Sequence, residues 1–441
     1  MLGGNPFRTA ILALLLLIIY VILGYFVPRE NSLYFLLLYA SSWGLTYTLL
    51  KSCPTASIFW LGLLFRLVFI VALPWLSQDF YRFIWDGLLL QNELNPYAFS
   101  PNELIKSDAL FDSPLKSNLY EGMGALNAQH YSNYPPVNQL GFLTAVNVFP
   151  SSLLGTVVVM RLLVILAEAG LFFTLKKILH YLDLPHRRIG WYFLNPLIIL
   201  ELTGNLHWEG VMLFFFALGW WLLLKQQNIW ATIAFAFSIA TKLIPLLLLP
   251  LFIRFQAWKK TAWMALLGSV CLLLLFVPFF KDIGMENYFA TLQLWFKNFE
   301  FNGSFYYLIR WIGYQIKGYN IIRQWGEVSP WIIAGMVLVF AFLKPKKKAQ
   351  DVFTAMLFLL TAYYLIASIV HPWYVIPLVF LGLFTRYSFP LIWSMLIPIS
   401  YITYAHPNFQ ENYFLIFLEY ALVITAMLYE IRKKKALLKH F

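Results

Sequence analysis

Apolar runs long enough to cross a bilayer recur from Thr9 to Tyr429 with only short polar breaks between them, and no water-soluble fold can bury that many. With 61% of its 441 residues hydrophobic and 12% charged, the chain reads as an all-α polytopic membrane protein. No polar stretch is long enough for a separate soluble domain. Residues 1–441 are therefore expected to form one bundle of about 12–14 transmembrane or half-membrane helices, with long outer loops at about 77–150 and 281–328. The first run, Thr9 to Val27, follows Arg8 and imitates a signal peptide, yet no small-residue cleavage site follows it and the next span begins almost at once. It reads as helix one. Two cysteines, Cys53 at a turn and Cys271 inside a span, cannot define a disulfide framework or a zinc site.

Spans are legible at 8–27, 33–50, 57–76, 152–175, 189–205, 208–224, 261–280, 329–343, 352–369, 371–384, 388–405 and 412–431. The segment 229–253 is different. It is long enough for one crossing, but Lys225 precedes it, Arg254, Lys259 and Lys260 follow it, and Lys242 with Pro245 interrupts it. Two half-helices turning at Thr241-Lys242 suit the positive-inside bias better than one crossing. With the N-terminus inside, Lys51, Lys176, Lys177, Arg187, Arg188, Lys225, Arg254 to Lys260, Lys344 to Lys348, Arg386 and Arg432 to Lys439 all fall on the cytoplasmic side. With Arg8 that makes 20 of the 32 lysines and arginines, against nine outside and three within spans. Both termini are thus expected in the cytoplasm, in a multi-pass cell-membrane protein. The net charge of +12 reflects basic turns facing the anionic headgroups of the lipid bilayer, with no need of nucleic acid. Asp79, Asp86, Glu93, Glu201, His207, Glu209, Lys242, Asn302, His371 and His406 map to the outer side, where chemistry is to be sought.

The densest group of these lies between Ser77 and Gly87. If 79–91 is helical, Asp79, Arg82, Phe83 and Asp86 stand at i, i+3, i+4 and i+7 and share one stripe. Such a helix would lie along the membrane surface with Phe80, Trp85 and Leu88 to Leu90 as its lipid- or protein-facing body. An interfacial anchor whose Asp-Arg-Asp triplet pairs with itself has the same spacing. Gly87, Asn95-Pro96-Tyr97 and the Pro-rich return from Tyr131 to Pro136 add shaped loop chemistry that an anchor does not need. Lys242, in the middle of an apolar segment, must face an anion in a cavity or a carboxylate such as Glu201. Arg161 and Glu168, seven apart, read as a structural pair. Arg310, after Phe305-Tyr306-Tyr307, suits a phosphate contact or an interfacial anchor. His371 opens a Pro-Trp-Tyr turn and suits a substrate contact or a packing role. His207 beside Glu209 raises membrane acyl transfer, which nothing else in the chain supports.

In order along the chain, Asp79-Phe80-Tyr81-Arg82-Phe83-Ile84-Trp85-Asp86-Gly87, Asn95-Pro96-Tyr97, Tyr134-Pro135-Pro136, Asn195-Pro196-Leu197 to Gly204-Asn205, Ala240-Thr241-Lys242 and His371-Pro372-Trp373-Tyr374 resemble the polyprenyl-phosphate-mannose-dependent mannosyltransferases of the GT-C glycosyltransferase superfamily. The chain departs from that pattern at Gly204-Asn205-Leu206-His207-Trp208-Glu209, where many relatives read Gly-Asn-Gly-His-Asn-Asp. The resemblance implies a GT-C-like bundle that moves a sugar, mannose, from a polyprenyl-phosphate donor to a hydroxyl of a glycolipid or glycan acceptor. Transfer would occur with inversion on the outer side of the membrane. The resemblance also places the catalytic base on the acidic residue of the first outer loop, which is Asp79. A carboxylate there can take the proton of the attacking hydroxyl, and the polyprenyl phosphate leaves without a general acid. Arg82 and Lys242 become candidate clamps for the donor phosphate, with Asp86 beside Arg82; Glu201, His207 and His371 complete the candidate substrate contacts.

No cofactor is implied. Asp79 and Asp86 could hold a divalent metal through oxygen ligands, but Arg82 between them supplies a competing positive charge, so metal independence is expected. The rival reading is a non-enzymatic transporter or flippase of lipid-linked sugars. Transporters repeat their helices in two related halves, whereas here an outer loop of roughly 75 residues follows the third span without a later counterpart. Transfer of a pentose or another hexose would use the same machinery, because sugar identity depends on pocket contacts.

Overall fold

The computed structural model describes residues 6–107, 111–280, 284–342, 348–405 and 408–433. His406, Lys344 to Lys347 and Lys434 to Lys439, named above, lie outside them. Among the described residues the regular structure is helical, and the one extended pairing is an isolated bridge between Phe301 and Ile369. Seven helices among the described residues are long and apolar enough to span a bilayer: Pro6–Tyr25, Ser32–Ser52, Leu153–Tyr181, Trp258–Phe279, Ile322–Phe342, Ala349–Ile366 and Tyr413–Lys433. The all-α polytopic membrane fold follows. The runs expected at 208–224 and 388–405 are found as Glu209–Leu224 and Phe389–Ala405, while those expected at 57–76, 189–205 and 371–384 form the shorter pieces Ser57–Leu67, Pro196–Gly204 and Pro372–Gly382. Prolines mark the breaks. Pro196, Pro245, Pro372 and Pro390 each stand in the first turn of a piece, where the missing N–H leaves no bond unmade.

One end of the bundle gathers the basic turns. Arg187 donates to the Leu50 carbonyl, Arg188 to the carbonyls of Leu383 (2.9 Å) and Thr385 (2.8 Å), and Arg254 to that of Phe340 (2.8 Å). The other end gathers the segments that carry Asp79, Glu209, Lys242 and His371. There the Leu76 N–H donates to Asn205 (3.2 Å), the Val137 N–H donates to the Ala240 carbonyl (2.9 Å), and Phe301 exchanges backbone bonds with Ser368 and Val370 (3.0 and 2.8 Å).

A single contact decides the course of 229–253. Lys260 donates to Gln226 at 3.0 Å, so the chain before Asn228–Ile239 and the chain after Ile244–Arg254 lie at the same, basic end. The turn at Thr241-Lys242 lies at the other end, beside Val137 and Glu209. This is a broken hairpin, and it lifts a lysine to the acidic end without sending the chain across.

The bundle interior holds two more cations. Arg66 donates to Glu168 at 2.7 Å with both side chains fully buried, and the Tyr192 hydroxyl donates to the same carboxylate at 2.9 Å. The pairing of Arg161 with Glu168 expected from the sequence is therefore not made. Arg161 instead donates to the carbonyls of Thr203 (2.7 Å), Gly204 (3.2 Å) and Ile70 (2.9 Å). Carbonyls stranded at a helix end favour a cation there.

Candidate active site

Four chain breaks meet at the acidic end. The first delivers Asp79 as the opening residue of the helix Asp79–Gln91, where an N-terminus favours a carboxylate. Phe80, Trp85, Leu88 and Leu89 are all buried, so the apolar body of this helix faces protein, packed against Pro136–Val148 and Lys116–Ala128. Gly87 permits the close approach, since a Cβ there would stand 2.7 Å from the Phe142 carbonyl oxygen. The second break is the 110° bend between Pro196–Gly204 and Glu209–Leu224. The third is the hairpin tip at Lys242, and the fourth is the turn at His371.

Asp79 is partly exposed. Burial pushes its carboxyl up to about 6; Glu209 adds to the rise, while Lys242 and the hydroxyls of Ser77 and Tyr134 hold it down. A carboxylate so placed is ionised at neutral pH and still basic enough to take a proton in a transition state.

Lys242 donates to Glu209 Oε1. The counter-ion expected from the sequence was a ligand or a carboxylate such as Glu201; the bend between half-helices brings Glu209 instead. Glu201 accepts from the Tyr401 hydroxyl (2.6 Å) and from Asn205 (3.2 Å), while Asn205 accepts from the Leu76 N–H. A chain of bonds thus runs from Glu201 to the loop just ahead of Asp79. Within the bend Leu206 adopts a left-handed φ of 63°, a conformation that glycine enters freely and leucine does not. This is where the family pattern has glycine.

Trp373 is sandwiched between imidazoles, with ring centroids 3.7 Å from His207 and 4.4 Å from His371. Phe301, from the second outer loop, stacks on His371 at 4.8 Å. Both faces of Trp373 are occupied, so the ladder orients two histidines and leaves that indole no face for a sugar. His371 Nδ1 and Glu209 Oε2 are buried and have no hydrogen-bond partner, His207 Nε2 lies 3.5 Å from Glu201 Oε2, and both histidines lie within the field of Lys242. Buried polar atoms are nearly always paired. The unpaired imidazole nitrogen of His371, beside the Lys242 ammonium, is open to a polar ligand.

Asp79, Glu201, His207, Lys242 and His371 are thus brought together. Arg82 and Asp86 are not. Arg82 Nε donates to Asp86 at 2.7 Å and Nη1 donates to the carbonyls of Asn127 (3.1 Å) and His130 (2.8 Å), while the buried Nη2 has no partner. Asp86 also accepts from Ser132 and from Gln139 (3.0 Å). Both side chains are fully buried and staple the helix Asp79–Gln91 to the segment behind it. Arg310 pairs with Glu300 and covers the Tyr307 ring at 4.4 Å, a fixture of the second outer loop. Sequence reasoning left Glu209 without a role, and did not place Tyr134, which hydrogen-bonds Asp79, or Tyr374 and Tyr404, which lie within the field of Asp79. Tyr134 and Tyr374 stand in the Tyr-Pro-Pro and His-Pro-Trp-Tyr motifs; Tyr404 had no local signal.

Residues 32–258, just over half of the chain, match the family model described as alpha-(1->6)-mannopyranosyltransferase, N-terminal domain. The chain belongs to this family. It is a GT-C type mannosyltransferase. The matched stretch contains Asp79, Glu201, His207, Glu209 and Lys242, while His371 and its aromatic ladder lie beyond it. No curated protein matches the chain. As a mannosyltransferase it is a hexosyltransferase that acts on a sugar donor and a glycan acceptor.

Proposed function

We propose that this mannosyltransferase takes mannose from a polyprenyl-phosphate donor and joins it, with inversion, to a hydroxyl of a glycolipid or glycan at the outer face of the cell membrane. The bond formed would be the α-(1→6) linkage of the family's description. The observation that carries this reading is the meeting of a partly exposed carboxylate, Asp79, with a lysine held at the tip of a broken hairpin. With both termini in the cytoplasm, that meeting point faces outward.

In the reaction the acceptor oxygen attacks the anomeric carbon as its proton passes to Asp79. The carbon–oxygen bond to phosphate breaks on the opposite side, and the phosphate departs with the electron pair. Lys242 meets the phosphate as a point charge, and the imidazole nitrogens of His207 and His371 are donors or acceptors for the phosphate and the sugar. Arg82 and Asp86 act at one remove, by fixing the helix that carries Asp79.

Purified protein incubated with a panel of polyprenyl-phosphate sugars and membrane lipid extracts tests the proposal. A mannosylated product should form from the mannose donor without a nucleotide sugar. Product from a nucleotide sugar alone would refute the donor class, and no product from any donor would return the transporter reading.

A further inference from the structure

We infer that Glu209 is a positioning residue that holds Lys242 ready for the donor and then weakens the enzyme's grip on the polyprenyl phosphate left after transfer. The inference rests on the proposal that Lys242 meets the donor phosphate. Its starting point is an imbalance: the carboxyl groups of Asp79, Glu201 and Glu209 interact with one another across a site in which Lys242 is the ammonium that acts on Asp79 and on both histidines. Glu209 is the group that Lys242 touches. It opens the helix Glu209–Leu224 just past the bend, its side chain is 3% exposed, one oxygen takes the lysine, and the other has no partner.

A cation alone would make a poor clamp for this reaction. The donor is a phosphodiester with a single negative charge, whereas the product is a monoester carrying about −1.5 to −2 at neutral pH. A bare ammonium would bind the product more tightly than the substrate, and release would limit turnover. A carboxylate beside the ammonium offsets that preference, because its repulsion grows with the charge on the phosphate just as the lysine's attraction does. Glu209 also receives the ammonium again as the phosphate leaves, so its buried carboxylate regains a counter-ion. The pair makes the site nearly indifferent to the extra charge that the reaction creates.

The test has a wild-type arm and a variant arm. In wild-type enzyme, polyprenyl phosphate and its singly charged methyl diester should inhibit with similar constants; a monoester that binds tenfold or more tightly would overturn the inference. In Glu209→Gln, inhibition by polyprenyl phosphate should strengthen roughly tenfold, donor KM should fall by less, and the first turnover should appear as a burst ahead of a slower steady state. Glu209→Asp should restore wild-type product inhibition. Unchanged or weaker product inhibition in a folded Glu209→Gln enzyme would reduce Glu209 to a structural partner. Lys242→Met separates the two levels of argument. If it leaves donor affinity intact, the donor-clamp reading fails. If it weakens the donor while Glu209→Gln leaves product inhibition alone, only the present inference fails.

Discussion

The role given to Asp79 commits the enzyme to a particular pH profile. A base must be ionised to act, and burial lifts this carboxyl to about 6. About nine-tenths of the enzyme should therefore be active at pH 7 and about one-tenth at pH 5, with kcat/KM falling tenfold per unit on the acid side. The two charges nearest the carboxyl should move that limb in opposite senses: Glu209→Gln removes an anion that raises it and shifts the limb to lower pH, while Lys242→Met removes a cation that lowers it and shifts the limb upward. Asp79→Asn keeps the shape and cannot accept a proton, so turnover should drop by about 10²–10⁴ with donor binding retained. The assay is transfer of labelled mannose from polyprenyl phosphate in detergent micelles, followed from pH 5 to 8. A flat profile across that range, or near-normal turnover by Asp79→Asn, would refute Asp79 as the base.

Three further outcomes can be checked separately. Gly87→Ala sets a methyl 2.7 Å from the Phe142 carbonyl and should displace the helix Asp79–Gln91, costing about 1–3 kcal/mol; the enzyme should lose kcat more than donor affinity, and unchanged kinetics would show that the helices part without moving Asp79. Arg66→Ala leaves Glu168 buried and unpaired and should cost about 3–5 kcal/mol, read as an earlier thermal transition in detergent; an unshifted transition would mean that the pair contributes nothing. In a background lacking Cys53 and Cys271, a cysteine at Asn102 should react with an impermeant thiol reagent from outside intact cells and one at Gln227 should not, and the reverse pattern would invert the topology and make a nucleotide sugar the donor.

The sequence disclosed what depends on short stretches of chain. The recurrence of apolar runs sufficed for the membrane fold, the basic residues flanking 229–253 sufficed for a hairpin, and the ordered motifs sufficed for the family. What it hid depends on which segment meets which. Arg82 and Asp86 sat on the same stripe as Asp79, but that stripe turns from site to interior within two helical turns, as Ser132 and Gln139 claim Asp86. Spacing could not show this, because both partners come from chain some fifty residues on, Ser132 from a loop and Gln139 from the helix Pro136–Val148. Arg161 and Glu168 misled in the same way. Seven residues on one helix suggest a pair, yet each found a better partner on another element, Arg161 in the carbonyls of a broken helix and Glu168 in Arg66.

Those broken helices also explain how an apolar bundle can hold a rigid polar site. Each break frees backbone groups that lipid cannot satisfy, and each is satisfied from a distant segment: Arg161 takes the carbonyls of Thr203 and Gly204, the Val137 N–H takes that of Ala240, and Phe301 bonds to Ser368 and Val370. The segments so joined are the ones beside His207 and Glu209, Lys242, and His371. The bonds that make the breaks tolerable in a membrane are therefore the bonds that fix the site's parts relative to one another. The departure at Leu206 is consistent with this, since the local left-handed backbone persists without glycine because the contacts on either side of the bend, Asn205 to Leu76 and the His207 N–H to the Glu201 carbonyl at 3.1 Å, already hold its shape.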